Sequence, residues 1–150
     1  MKLGIHLSAW TDNWEESVVP YIKQAAQLGY DGVELPLLAP EDFPVGEVKE
    51  ALAEQELAVT CGTGLNPEID ITAPETEVRQ RGIEHLKKCI EVSNQVGSQV
   101  LGGVIYSPWG LTEVADKAER YSRFKASFQE VIAYAEQKQV KLALELINRY

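Results

Sequence analysis

A carboxylate at position 145 sits in the run Leu142-Ala143-Leu144-Glu145-Leu146-Ile147, apolar on both sides. Burying a charge in such a run is costly unless it is ion-paired, protonated or bound to metal. Two readings of Glu145 stay open: a metal-binding or acid/base group, or a structural pair with a neighbour such as Arg149. Glu34, inside Gly32-Val33-Glu34-Leu35, poses the same question and reads as a structural hydrogen-bonding group. His6 reads either as a satisfied core histidine or as a ligand contact. His85 falls between polar neighbours in a helical stretch and reads as a surface residue. Cys61 reads as a small core side chain, because no His or Lys stands beside it to lower its pKa. The three tryptophans, Trp10, Trp14 and Trp109, all lie just after short apolar runs. Their indoles would suit a polyhydroxylated ligand, whose carbons offer C–H faces to an aromatic ring, or would simply plug the end of the fold.

The elements that must position these residues alternate. Short runs rich in Val, Ile and Leu occupy 3–9, 31–38, 57–63, 99–106 and 140–147, each followed by Gly, Pro, Ser or Asn. They suit strands buried on both faces of a parallel sheet. Between them lie helical stripes. Ile22, Ala25 and Ala26 share a face, with Pro20 in the opening turn and Gly29 at the end. Val48, Ala51 and Leu52 form the stripe of 45–56. Thr72 and Glu75 have capping-box spacing ahead of Ile83, Leu86 and Ile90, with Gly97 closing that helix and Gly82 inside it. Phe124, Phe128, Val131, Ile132 and Ala135 mark the fourth.

The resulting β-α-β-α-β-α-β-α-β order implies right-handed crossovers in an α/β fold, either a doubly wound sheet or a (β/α) barrel. The first strand runs into Ser8-Ala9-Trp10-Thr11-Asp12-Asn13-Trp14 with no Gly-rich turn, and no Walker loop occurs anywhere. A nucleotide cofactor is therefore not expected. Gly102-Gly103 lacks the helix N-terminus that an anion site needs and reads as tight strand packing. In a barrel the site is built at the C-terminal strand ends, where His6, Glu34, Cys61 to Gly64, Tyr106 to Trp109 and Glu145 fall.

The 150 residues are 45% hydrophobic and 25% charged, ordinary values for a globular domain. A net charge of −9 argues against a phosphate-backbone binder, so no nucleic-acid partner is expected. Two isolated cysteines give neither a zinc cluster nor a disulfide framework. The N-terminus has no long apolar stretch, and no run approaches the roughly 20 apolar residues of a membrane span. The expectation is a cytoplasmic protein without a membrane partner.

Taken together, Lys2-Leu3-Gly4-Ile5 with Trp10 and Trp14, then Leu28-Gly29-Tyr30-Asp31-Gly32-Val33-Glu34 and Gly62-Thr63-Gly64, resemble many related barrels. The pairing of GG-x-x-YS-x-W at Gly102–Trp109 with LE-x-x-NR at Leu144–Arg149 is more specific. It resembles the D-tagatose 3-epimerase and D-psicose (allulose) 3-epimerase family of xylose isomerase-like barrels. The resemblance implies a (β/α)8 TIM barrel, with residues 1–150 forming the N-terminal part of a single domain: about four βα units and the fifth strand. It implies a divalent metal (Mn²⁺, Mg²⁺ or Co²⁺), with Glu145 both a metal ligand and an acid/base carboxylate. His6, Trp14, Gly64, Val104 and Trp109 would line the pocket of a small-molecule ketose. The implied reaction is epimerisation at C3 through a cis-enediolate. Inosose dehydratase or hydroxypyruvate isomerase chemistry, or a non-catalytic sugar-binding or assembly module, are the alternatives.

A complete barrel takes about 250 residues. The chain is accordingly expected to be a portion of a longer protein, inactive alone. An open sheet with two strand edges and an uncovered apolar face would drive it to associate as a homo-oligomer.

Overall fold

A computed structural model of the chain describes residues 1–11, 16–111 and 116–147. Its strands are β1 (Gly4–His6), β2 (Gly32–Pro36), β3 (Ala58–Leu65), β4 (Val100–Pro108) and β5 (Lys141–Leu144). Its helices are α1 (Val19–Gln27), α2 (Val45–Glu54), α3 (Thr76–Val96) and α4 (Lys117–Gln137). Among the described residues the strands form one sheet in the order β1-β2-β3-β4-β5, with every pair parallel. A doubly wound sheet reverses its order at a switch point. A strictly consecutive order matches a stretch of a (β/α) barrel.

The helices lie in one layer, since α1 packs on α2, α2 on α3 and α3 on α4. The core fills the space between that layer and the sheet. Val33, Leu35, Leu37, Cys61, Leu65, Leu101 and Ile105 face it from the sheet side. Ile22 and Ala25, then Val48, Ala51 and Leu52, then Ile83, Leu86 and Ile90, meet them from the helices. These are the stripes that the 3.6-residue period predicts. Ile132 departs from its stripe and is 40% exposed.

Three local expectations are corrected. The first strand does not run to residue 9. It ends at His6, and Leu7–Ala9 form a 3-10 turn whose Ser8 N–H donates to the His6 ring. Thr72 does not cap α3, which starts at Thr76 behind Glu75 with no side-chain cap bond. Instead the Thr72 N–H and hydroxyl both donate to Asp70 Oδ1, at 2.7 and 2.5 Å. Arg120 of α4 donates to Asp70 Oδ2 at 2.7 Å and to the Thr72 hydroxyl, and Arg123 Nε donates to the Thr72 carbonyl at 2.7 Å. Ser127 donates to the Ile71 carbonyl at 2.9 Å. The connection between β3 and α3 is thus tied to α4 by satisfied polar groups, where burial would otherwise penalise them.

The third correction concerns His85, which is buried at 8% exposure. Its Nε2 lies 3.2 Å from the Thr63 hydroxyl, which itself donates to the Leu37 carbonyl at 2.7 Å, and 3.6 Å from Cys89 Sγ. Gly103 has φ +118, and a Cβ there would collide with the Thr63 carbonyl oxygen, so close strand packing does account for a glycine at this point.

Candidate functional site

Side chains alternate along a strand, so the face opposite the helices is read by counting in twos. Val33 and Leu35 of β2, and Cys61, Thr63 and Leu65 of β3, are buried toward the helices. Glu34, Thr60, Gly62 and Gly64 therefore occupy the inner face. The register carries this face across the sheet in rows. His6 pairs with Glu34 and Glu34 with Thr60, while Gly62 pairs with Gly102 and Gly102 with Ala143. Nearest the C-terminal ends, Gly64 pairs with Val104.

That last row gathers most of the residues singled out from sequence. A Cβ on Gly64 would meet nothing within 4 Å, so the glycine borders open space. Val104 is 5% exposed yet stands outside the helix-side core cluster, as an inner-face residue should. The Trp109 N–H donates to the Leu65 carbonyl at 2.8 Å, setting this 66%-exposed indole beside the end of β3. The Glu145 N–H donates to the Gly103 carbonyl at 3.0 Å, extending the β4–β5 ladder by one residue. Alternation from Ala143 assigns the Glu145 side chain to the inner face. The apolar flanks do not bury it: Glu145 is exposed, Leu144 is 43% exposed and Leu146 83%. A solvated carboxylate avoids the desolvation cost that its sequence context suggests.

His6 lies deeper, two inner-face positions below Gly64 in the register, with Glu34 and Thr60. The Ser8 N–H and hydroxyl donate to its Nδ1 at 3.2 and 2.5 Å, so the proton of the neutral ring sits on Nε2. That nitrogen lies 3.6 Å from Glu34 Oε1, and the Thr60 hydroxyl donates to Glu34 Oε2 at 3.1 Å. Glu34 thus makes the hydrogen bond expected of it, and His6 is a partnered, half-exposed residue of the inner face instead of a core histidine.

Sequence reading missed Ser8 and Thr60 as members of this cluster. The signal was available in the alternation, because Thr60, Gly62 and Gly64 are the three inward positions of one strand. Trp10 does not line the inner face. Its ring stacks on Tyr21 with centroids 6.4 Å apart and meets Tyr30 edge-on at 6.2 Å, on the helix side of the sheet. Trp14, Asn148 and Arg149 lie outside the described residues. Burial pushes the Cys61 thiol up to about 11 and the Cys89 thiol to about 12, which suits inert core side chains. Among the described residues no three His, Cys, Asp or Glu side chains converge on a cation position. Glu145 therefore offers a single hard oxygen donor, and the described residues alone do not fit a complete metal centre. No helix among them is long and apolar enough to cross a membrane.

Known proteins agree with this geometry. Residues 22–150 match the family described as xylose isomerase-like TIM barrel. A ketose 3-epimerase of Arthrobacter globiformis is 31% identical over 151 residues, covering 100% of this chain and 52% of the relative. A D-psicose 3-epimerase of Ruminiclostridium cellulolyticum is 28% identical, covering 100% and 53%. The crystal structure of a D-allulose 3-epimerase from Methylomonas sp. in complex with D-allulose superposes with a TM-score of 0.92 at 31% identity, again over 100% of this chain and 52% of the other. The chain spans about half the length of the curated relatives it matches. With the consecutive parallel sheet and the family match over most of its length, the chain belongs to the xylose isomerase-like TIM-barrel family.

Proposed function

We propose that the protein carrying this chain is a ketose 3-epimerase that takes free ketoses of the D-tagatose, D-fructose or D-psicose type. The observation that carries the reading is the convergence of Gly64, Val104, Trp109 and Glu145 at adjoining C-terminal strand ends, in a chain whose relatives are ketose 3-epimerases. In this reading Glu145 is one donor to a divalent cation (Mn²⁺, Mg²⁺ or Co²⁺), the others lying outside the described residues. When bound, such a cation supplies Lewis-acid polarisation of the ketone.

Glu145 also handles the proton at C3. Breaking the C3–H bond leaves its electron pair delocalised toward the C2 oxygen as a cis-enediolate, and a second acid returns a proton to the opposite face, inverting C3 without redox change. The Trp109 indole offers an apolar face to the ligand's carbons, Gly64 and Val104 leave and bound the space beside it, and His6 presents its Nε2–H from below. Trp14 is proposed as a further sugar contact. A cytoplasmic setting and association of copies complete the proposal.

The test is conversion of D-fructose to D-allulose by the purified protein, with and without a chelator and re-added Mn²⁺. Replacing the carboxylate in Glu145→Gln is expected to lower kcat by about 10²–10⁴-fold, the usual contribution of a positioned general base. Undiminished turnover in that variant would sink the assignment. Sugar binding without any turnover by the unaltered protein would favour the non-catalytic module.

A further inference from the structure

In a filled barrel the inward layers carry bulky branched side chains. Here the inner-face row between the strand ends and the His6–Glu34 pair is Pro36, Gly62, Gly102 and Ala143, and on the three strands β3 to β5 it bears nothing larger than a methyl. The pair below it is half-exposed, at 38% and 42% for the two side chains. The hollow of about 360 Å³ that His6, Glu34 and Thr60 help to line lies on the other side of the pair, toward the strand N-termini at Lys2, Asp31 and Ala58. In the chain as it stands, exposed pairs of this kind add little to stability. Space is nevertheless kept for this one, since a Cβ on Gly62 would stand 2.8 Å from Glu34 Oε1 and 3.5 Å from His6 Nε2.

We infer that His6 and Glu34 form a hydroxyl-selective floor of the site, with Glu34 the residue that determines specificity against an anionic end group. The inference rests on the sugar-binding reading above and deepens it. Nε2–H is a donor and Glu34 Oε1 an acceptor, 3.6 Å apart, too long for a direct hydrogen bond. One sugar hydroxyl can accept from the first while donating to the second, which a methylene cannot do. A phosphate at the same place would meet the Glu34 carboxylate at close range, and like charges there discriminate by repulsion. Ser8 fixes the ring tautomer and Thr60 holds the far carboxylate oxygen, so the clamp is set before a ligand arrives.

The chain has two histidines, which makes their ring nitrogens separable by NMR. Titration with D-allulose is expected to move the His6 Nε2 resonance and leave that of His85, which sits apart in the core and reports that the chain is folded. D-allulose 6-phosphate is expected to leave both unmoved. In Glu34→Gln the free sugar should bind roughly 10- to 100-fold more weakly, as for loss of a hydrogen bond to a charged group, and the discrimination against the phosphate should shrink. The Gly62→Ala variant, which displaces only the flexible tip of Glu34, should weaken binding in the same direction. An equal response to both sugars, a silent His6 at saturating D-allulose, or unchanged binding by Glu34→Gln overturns the inference. The protein carrying this chain is assayed separately for exchange of the C3 proton. Exchange there with a silent His6 removes this inference alone, whereas a responsive His6 with no exchange by that protein removes the epimerase reading and leaves the floor.

Discussion

The imidazole of His85 donates from Nε2 to a Thr63 hydroxyl that is itself committed to the Leu37 carbonyl, with Cys89 Sγ beside it. Burial lowers its pKa from 6.5, and the Glu41 carboxylate opposes that in part. A base whose pKa is lowered on folding takes up its proton more readily in the unfolded chain. Its contribution to stability is therefore whole above the unfolded value of 6.5 and declines as pH falls below it toward the lower folded value. Urea midpoints compared at about pH 7.5 and about pH 5, on either side of the ordinary histidine pKa, should drop in the native sequence and drop less in His85→Gln, whose amide can still donate to Thr63. Equal drops in both would assign the proton elsewhere. Polar flanks hid this residue in the sequence. Its i,i+4 spacing to Cys89 and its place before Leu86 put it on the core stripe, a signal that outweighs the character of its immediate neighbours.

Helix α3 shows where element-level reasoning from sequence succeeds and where it reverses. Its stripe of Ile83, Leu86 and Ile90 is legible because the apolar period has only one buried solution. Its start is not, because Thr72 has a stronger use for its hydroxyl in the Asp70–Arg120 cluster, a contact 48 residues away in the chain. Gly82 carries a similar lesson. Helix propensity alone says alanine there gains about 1 kcal/mol. In the structure a Cβ at Gly82 collides with the Ile69 carbonyl oxygen and stands 2.8 Å from Ile71 Cγ2. The glycine is where the turn at Pro67–Ile69 and the residues after it lean on the helix. Backbone cannot swing aside as a side-chain tip can, so Gly82→Ala is expected to destabilise by about 1–3 kcal/mol, the usual range for overpacking. A denaturant midpoint that rises in this variant would show that propensity governs the site.

The order of the whole molecule was legible because each apolar run is too short for a helix and each intervening stretch has one apolar stripe, which leaves few topologies for a consecutive parallel sheet. The strand-end residues Gly64, Val104, Trp109 and Glu145 could be named on that basis. What could not be read was the rowwise grouping, His6 with Glu34 and Thr60, and Gly62 with Gly102 and Ala143, because register joins positions that sequence separates by 26 to 41 residues. The same sheet carries a physical consequence for the chain in solution. Among the described residues β1 and β5 each pair on one side only, and the free edge of β5 carries the exposed Leu144, with the exposed Leu146 just beyond it. An unpaired edge beside apolar side chains is a template for pairing with another chain. Sedimentation over a concentration series should therefore show the 150-residue chain self-associating, and Leu146→Lys should shift it toward monomer by placing a charge where the apolar contact forms. The substitution lies beyond the last strand at an 83%-exposed position, so it should leave the fold itself untouched. A concentration-independent monomer for the unaltered chain would mean that the edge and its leucines are shielded within the molecule, and that the open sheet is not how the chain exists in solution.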